Sequence, residues 1–334
     1  NGYTGKPAYY MLRDIYTFNV CKYSSIFALE ESPHNDKEIW VGSDDGLIHI
    51  TKDGGISWQN ITPNKIIPYQ GTINKIELSS HKEGRALVAV YNYRNNDFKP
   101  YIILTDDFGA NWKLITENNG ISSNHFVRTV SEDPVKKGLI YAGTEFGAYF
   151  SLNNGKSWNS LQLNLPHVPI TDMEVAGNDL AISTQGRGFW LLDKINILQE
   201  LNDIIKNPEK IHLFKPETAY RTNIGSGWRS GGVSFENDIS FYLPNNIPIK
   251  DLEMYIKDDK GNVIIDFKKD TVYLWDVDYD STTVYSGVHT VYWDLEYKAP
   301  KLQKEFVSMY YSARSGYGPE AIPGKYSIEL VSEN

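Results

Sequence analysis

Two acidic residues lead the candidates for chemistry. Asp44, in Asp44-Asp45-Gly46, and Glu145, in Thr144-Glu145-Phe146, each follow a short apolar run that ends in Gly-Ser or Gly-Thr, so they hold matching places in two similar stretches. A pair of carboxyl groups flanking a glycosidic bond is what glycoside hydrolysis requires, with their separation deciding retention or inversion. Asp45 and Asp97 stand behind them as reserves. Arg94, Lys99 and Arg187 can orient hydroxyls or a carboxylate, and Tyr69, Tyr93, Phe98 and Phe146 can stack on sugar faces. The same residues, with His167 and Gln185, can instead hold a glycan or peptide ligand without turnover, and this binding reading is favoured. Asp44-Asp45-Gly46 also reads as a good hairpin turn with no further role.

Other chemistries find little support. The seven histidines, His34, His49, His81, His125, His167, His212 and His289, show no His-x-x-x-His spacing, and Cys21 is the single cysteine, so no metal and no cofactor is expected. The glycine-rich stretch 225–232 lacks a following helix and a Lys-Ser/Thr, and contains only a truncated form of Gly-x-Ser-x-Gly. Lys and Arg total 33 against 42 Asp and Glu, a net charge of −9 that disfavours a phosphate-backbone partner. No run of 18 apolar residues occurs, so no membrane span is expected. The first ten residues carry no basic-then-apolar leader, which neither establishes nor excludes export.

These side chains need a scaffold, and a repeat supplies it. Thr51-Lys52-Asp53-Gly54-Gly55-Ile56-Ser57-Trp58, Thr105-Asp106-Asp107-Phe108-Gly109-Ala110-Asn111-Trp112 and Ser151-Leu152-Asn153-Asn154-Gly155-Lys156-Ser157-Trp158 share one pattern. Their tryptophans lie 54 and 46 residues apart, near the length of a four-stranded propeller blade. Each reads as a turn: Asp53 and Asp107 fold back onto turn N–H groups, and Gly55, Gly109 and Gly155 take a positive φ. The tryptophans Trp58, Trp112 and Trp158 then pack between neighbouring sheets, and Asn153 keeps the same turn chemistry as the aspartates. These acids are therefore structural. Alternation and turn signals predict blades with strands near 25–31, 38–43, 47–52 and 57–62; 72–79, 86–93, 101–105 and 111–116; and 125–131, 139–144, 148–152 and 157–162. A fourth blade shows strands near 170–176, 179–184 and 188–193, with segment 8–19 a candidate for its outer strand. Turns between the third and fourth strands share one end of each sheet, so the connections carrying Asp44, 93–99, Glu145 and Gln185-Gly186-Arg187 assemble at the other end.

The three turns resemble the Asp-box, or bacterial neuraminidase repeat. Gly143-Thr144-Glu145-Phe146-Gly147, Gln162-Leu163-Asn164-Leu165-Pro166 and the run from Asp179 to Asp193 are similar to the last blades of large bacterial proteins of the sortilin N-terminal-domain-like, BNR-repeat glycosyl hydrolase-like family. The resemblance covers about residues 20 to 330. It implies an all-β propeller of which about four blades are present here, missing N-terminal blades of the same protein, and a periplasmic, cell-surface or secreted address. Binding of a glycan or peptide follows from the sortilin side of the resemblance, hydrolysis from the other. A sialidase is disfavoured, because that chemistry resembles a cluster of three arginines and only Arg94 and Arg187 stand at this end.

With 334 residues, two domains are expected. The propeller is assigned to 1–194 and a connector helix with linker to 195–210, on helically spaced apolar residues at 197, 198, 201, 204 and 205. The remainder, 211–334, reads as an immunoglobulin- or fibronectin-like sandwich, with strands at 238–243, 252–257, 263–267, 290–295 and 324–331 and a hairpin at Asp259-Lys260-Gly261-Asn262. Tyr310, Tyr311 and Tyr317 fall in a loop of this part that reads as a surface excursion.

Overall fold

The computed structural model describes residues 25–220, 237–248, 251–267, 283–298 and 319–332. Segment 8–19, Cys21, loop 225–232 and Tyr310, Tyr311 and Tyr317 lie outside the described residues. The chain divides into two compact units, Asn1–Gln199 and Glu200–Asn334.

The first unit is a succession of antiparallel meanders. Sheet I holds β1 (Ile26–Ser32), β2 (Asn35–Ser43), β3 (Ile48–Thr51) and β4 (Gln59–Asn60). Sheet II holds β5 (Thr72–Leu78), β6 (Ala86–Asn92), β7 (Asp97–Thr105) and β8 (Lys113–Leu114). Sheet III holds β9 (Val127–Glu132), β10 (Ile140–Thr144), β11 (Gly147–Ser151) and β12 (Asn159–Ser160). Sheet IV holds three strands among the described residues, β13 (Ile170–Ala176), β14 (Asp179–Thr184) and β15 (Phe189–Leu192). Strand β7 begins at Asp97 and not near 101, because Asn92 pairs with Asp97 across a single tight turn.

Stacking follows from two-residue alternation. Along β6, Ala86, Val88 and Val90 join Trp40, Ile48, Ile73 and Ile103 between sheets I and II. The intervening Leu87 and Ala89 join Ile102, Val130, Ile140 and Trp158 between sheets II and III. Buried on both faces, β6 reads as an unbroken apolar run. Leu139 and Tyr141 look the other way, toward Ile170, Met173, Leu180 and Ile182 of the last pair. The first strands β1, β5, β9 and β13 lie against one another in succession. The sheets therefore fan around their first strands in a propeller-like array.

The repeated turns have one geometry. Asp53 Oδ1 accepts from Ser57 N (2.9 Å) and Thr51 Oγ1 (2.8 Å), and its Oδ2 from Ser57 Oγ (2.6 Å). Asp107 repeats this with Asn111 and Thr105. Asn153 keeps it with Ser157 N at 2.9 Å and donates Nδ2 to Ser157 Oγ. These bonds hold the Asp53 carboxyl down at about 2 and Asp107 below its ordinary value. Gly109 and Gly155 need their freedom for φ near +78° and +74° and for space: a Cβ would meet Ile61 Cδ1 at 2.7 Å and Ile115 Cδ1 at 2.6 Å. Trp112 Nε1 donates to Ile61 O (2.9 Å) and Trp158 Nε1 to Ile115 O (2.8 Å). Each of these two turns thus bonds to the residue just past the fourth strand of the preceding sheet. Trp58 departs from the expected packing and is 45% exposed.

The inner strands carry charge. Lys75 Nζ lies 3.4 Å from Asp172 and 4.0 Å from Glu174. Nearby Glu77 accepts from Ser131 Oγ and Glu132 N, both at 3.2 Å. Burial pushes its carboxyl up to about 7, against the pull of the Glu132 amide and Lys75, with Glu174 adding repulsion. A carboxyl raised above its unfolded value favours the folded state most when protonated, so its contribution falls as pH climbs from about 4.5 toward 7. Glu77→Gln is expected to match the parent near pH 4 and to exceed it by about 1–3 kcal/mol at pH 8, read by urea unfolding across pH. Equal stability at pH 8 would contradict this assignment.

In α1 (Asn196–Lys206), Leu198 packs against the core of sheets III and IV. In the second unit, Glu200 Oε2 lies 2.7 Å from His212 Nε2. This unit contains sheets β16 (His212–Leu213), β17 (Asn237–Leu243) and β22 (Gly287–Trp293); β18 (Ile247–Pro248) and β21 (Thr283–Val284); and β20 (Val263–Asp266), β19 (Leu252–Lys257) and β23 (Ser327–Ser332). Alternate residues Ile239, Phe241 and Leu243 of β17 and Leu252, Met254 and Ile256 of β19 share one core. The acceptor in the 258–262 turn is Asp258 and not Asp259: its carboxylate takes Lys260 N and Asn262 N.

Candidate functional site

Antiparallel strands send β2–β3, β6–β7, β10–β11 and β14–β15 connections to the end of each sheet away from the tryptophan-ended turns. Three of the expected site residues prove equivalent there. The backbone N–H groups of Asp44, Glu145 and Gln185 donate to Ser25 O (3.1 Å), Phe126 O (3.1 Å) and Pro169 O (2.9 Å), each the residue leading into the first strand of its own sheet.

Their side chains then diverge. Asp44 Oδ1 accepts from Ser25 N at 3.0 Å, and its carbonyl accepts from Thr72 Oγ1 at 3.2 Å. With Gln70, Thr72, Tyr91 and Arg94 it lines a cavity of about 10 Å³, room for one water and not for a sugar ring. Asp45 accepts from Ser43 Oγ within the β2–β3 turn. Glu145 Oε2 accepts from Arg128 Nε at 2.6 Å, and both side chains are about three-quarters covered. Asp44 and Glu145 are not brought together: they belong to sheets I and III, with sheet II between.

Sheet II supplies the centre of this rim. A 3-10 turn, Tyr93–Asn95, places Tyr93 against Tyr91 (5.1 Å) and stacks it on Phe126 (4.9 Å, 22°). Phe98, in β7, lies 6.3 Å from Phe126 and stays 44% exposed. The Arg94 guanidinium lies 6.0 Å from the Tyr93 ring, and that of Arg128 lies 5.3 Å from Phe126. Asp97 Oδ2 takes the Tyr101 hydroxyl (2.8 Å) and its Oδ1 the Lys99 N–H (3.2 Å), so Asp97 and Lys99 belong to the start of a strand and not to a loop.

A second group forms beside Glu145. Phe146 is 45% exposed and lies 4.8 Å from the His125 ring, while His167 Nδ1 is 3.3 Å from Phe146 O. His125 Nδ1 shares a hydrogen bond with the Tyr149 hydroxyl (2.9 Å). Burial, and then the charge of His167, hold His125 below its ordinary value and so neutral at pH 7. Tyr69 is exposed, as are Gln185 and Arg187, and the Arg187 carbonyl accepts from Trp190 Nε1.

Tyr91, His125, Phe126 and Arg128 escape the sequence reading, which counted only connections as rim. Residues that open or close a strand at that end belong to the rim too, so Phe126-Val127-Arg128 was the available signal. Among the described residues no group of three or more His, Cys, Asp or Glu is placed to hold a metal, and no helix is long and apolar enough to cross a membrane.

No protein-family model matches the chain, and no curated protein does. Solved structures do resemble it. The chain is similar to an ancestral GH74 enzyme at 17% identity and TM-score 0.39, over 77% of this chain and 35% of that one. Similarity to the GH74 enzyme of Niastella koreensis is 16% with TM-score 0.40, over 64% and 34%. YCF48 from Cyanidioschyzon merolae gives 15% and 0.37, over 68% and 69%. The chain thus spans about a third of the length of the GH74 enzymes.

Proposed function

We propose that this rim binds a glycan or extended peptide without turning it over. The observation that carries the reading is the interlocked ring cluster where sheets II and III meet, Tyr91, Tyr93 and Phe126, which holds Phe98 half-exposed and carries the Arg94 guanidinium 6.0 Å from the Tyr93 ring. Rigid aromatics flanked by a guanidinium make the usual centre of a binding surface, because they lose little conformational entropy when a ligand lands on them. Phe146 and Tyr69 extend the surface on either side. Hydrolysis fits less well. Sheets stacked about 10 Å apart put equivalent turns of sheets I and III roughly 20 Å apart. Paired glycosidase carboxyls need about 5 to 9.5 Å. We read the array as Asp-box blades of the sortilin-like, BNR-repeat kind, the second unit as a β-sandwich, and the protein as exported.

The test is a panel of glycans and peptides titrated by calorimetry and assayed for products. Saturable binding without product is expected, with Phe98→Ala and Arg94→Ala each weakening it about tenfold or more. Product formation abolished by both Asp44→Asn and Glu145→Gln would establish hydrolysis instead. Binding that ignores Phe98 and Arg94 would remove the site from this rim.

A further inference from the structure

Sheets I and II end alike, and the chain beyond them then behaves differently. Ile61 and Ile115 hold one position: their N–H groups donate to Ile48 O and Ile102 O, and the next residues, Thr62 and Thr116, accept from the N–H groups of those same partners. Past Thr116, segment 117–121 lies down on the third repeated turn. Asn119 Nδ2 donates to Ile115 O (2.9 Å) and Gly155 O (2.6 Å), and the Asn119 carbonyl accepts from Trp158 N (2.8 Å). Gly120, with φ near +127°, fits so closely that a Cβ would fall 2.1 Å from Trp158 O. Past Thr62, Ile66 N and Ile67 N both donate to Pro63 O, so segment 63–67 winds into a turn of its own, and Lys65 stands exposed at the position corresponding to Asn119.

The groove that segment 117–121 closes over Trp158 is therefore open over Trp112. It runs between segment 59–66 and the second repeated turn, with a volume of about 660 Å³, the size of a small-ligand site. Trp158 is 4% exposed, whereas Trp112 is only partly buried. The open groove keeps the three groups that Asn119 satisfies in the next interface. Among the described residues the Trp112 N–H finds no acceptor and Gly109 O no donor. Ile61 O, having taken Trp112 Nε1, keeps one lone pair, the one that Ile115 O gives to Asn119.

We propose that this groove is a second binding site, for an asparagine-bearing peptide segment. Two carbonyls served by one nitrogen call for two hydrogens on it, which a primary carboxamide has and the secondary acetamide of an N-acetylated sugar lacks. A carboxylate in that place would face both carbonyls with no donor. The Trp112 N–H takes the carbonyl of the same residue, as Trp158 takes that of Asn119, so one asparagine with its own peptide group satisfies all three. The site lies at the end of the sheets that carries the tryptophan-ended turns, away from the rim, and does not depend on what the rim binds.

The probe is a peptide copying residues 116–122, titrated into the 334-residue chain with isotope-labelled tryptophan and followed by NMR. A tethered loop enjoys a millimolar effective concentration, so the free peptide is carried to that range. The Trp112 amide is expected to shift saturably while the Trp158 amide stays in place. A peptide with Asn119→Asp should bind about tenfold more weakly or worse. In the chain, Ala110→Trp fills the groove from an exposed position whose counterpart in the third turn is Lys156; it should weaken binding by a similar factor at unchanged Tm, while Phe98→Ala, on the rim, should leave it unaltered. No shift of the Trp112 amide at millimolar peptide, equal binding of the aspartate peptide, or N-acetylglucosamine binding as tightly as the peptide overturns the proposal. So does a Trp112 amide that exchanges with solvent as slowly in the free chain as that of Trp158, since the chain would then fill the groove itself. Binding lost with Phe98→Ala and kept with Ala110→Trp would move the peptide to the rim and overturn it too.

Discussion

Replacing Arg85 by alanine is expected to destabilise the first unit by about 3–5 kcal/mol, among the largest effects of any single substitution in this protein. The side chain is only 2% exposed and reaches three elements at once. Its Nε and Nη2 grip both oxygens of Glu132 at 2.8–3.2 Å, Nη1 donates to Asp106 Oδ1 (3.0 Å) and Nη2 to Asn154 Oδ1 (2.9 Å). Asp106 and Asn154 sit in the second and third repeated turns, so one guanidinium ties both to β9. Alanine leaves Glu132, itself 2% exposed, as an uncompensated buried charge. Burial opposes ionisation of Glu132, yet the bonds and charge of Arg85 outweigh it and hold the carboxyl below its ordinary value. A depressed carboxyl contributes stability above its unfolded value of 4.5 and loses it as pH falls through the folded one. The Arg85→Ala deficit should therefore be full at pH 7 and shrink in acid. Replacing both partners, Arg85→Met with Glu132→Leu, should recover most of the loss, since the cost lies in the orphaned charge. Urea unfolding of the three variants at pH 7 decides it: an Arg85→Ala deficit under 1 kcal/mol would show that the network contributes nothing beyond specificity.

Trp158→Ala should cost about 3–5 kcal/mol as well. The ring fills the space between sheets II and III among Leu87, Leu104, Ile115 and Ile140, and its Nε1 satisfies the Ile115 carbonyl. The Trp158 amide in turn donates to Asn119 O at 2.8 Å, so the turn is pinned at both backbone and side chain. Trp158→Phe should recover much of the packing but leave the carbonyl without its donor, a remaining deficit of about 1–2 kcal/mol. Thermal unfolding of both variants measures the order. If phenylalanine and alanine were equally damaging, the hydrogen bond and not the packing would dominate.

Local chemistry was legible in the sequence wherever a residue acts on its near neighbours. The repeated turns follow from Asp53, Asp107 and Asn153 bonding four residues ahead and from glycines with positive φ, all within eight positions. Strand positions in sheets I to IV follow from two-residue alternation, and the common place of Asp44, Glu145 and Gln185 follows from matching their flanks. The early start of β7 is a local matter, the tight turn that pairs Asn92 with Asp97; at the site and between the sheets, a distant contact separates structure from prediction. Trp58 carries the same motif as Trp158 and yet is exposed, because burial depends on the sheet in front of it and not on the turn that bears it. Asp44 and Glu145 share a position in their sheets, which for that reason keeps them in different sheets. Phe126 and Arg128 enter the rim because the strand they open starts at that end; their place at the start of β9 is visible in the sequence, but the ring and guanidinium contacts to sheet II that put them at its centre are not. Arg85 is the sharpest case: the pairing of β6 with β7 sets Asp106 opposite it, but no spacing links residue 85 to 132 and 154, and only the stacking of sheets II and III brings Glu132 and Asn154 within reach of the same guanidinium. Turn and strand identity are decided by covalent neighbours and are written in the order of the residues, whereas pairing between sheets is decided by which faces meet, a property that exists only once the chain has folded.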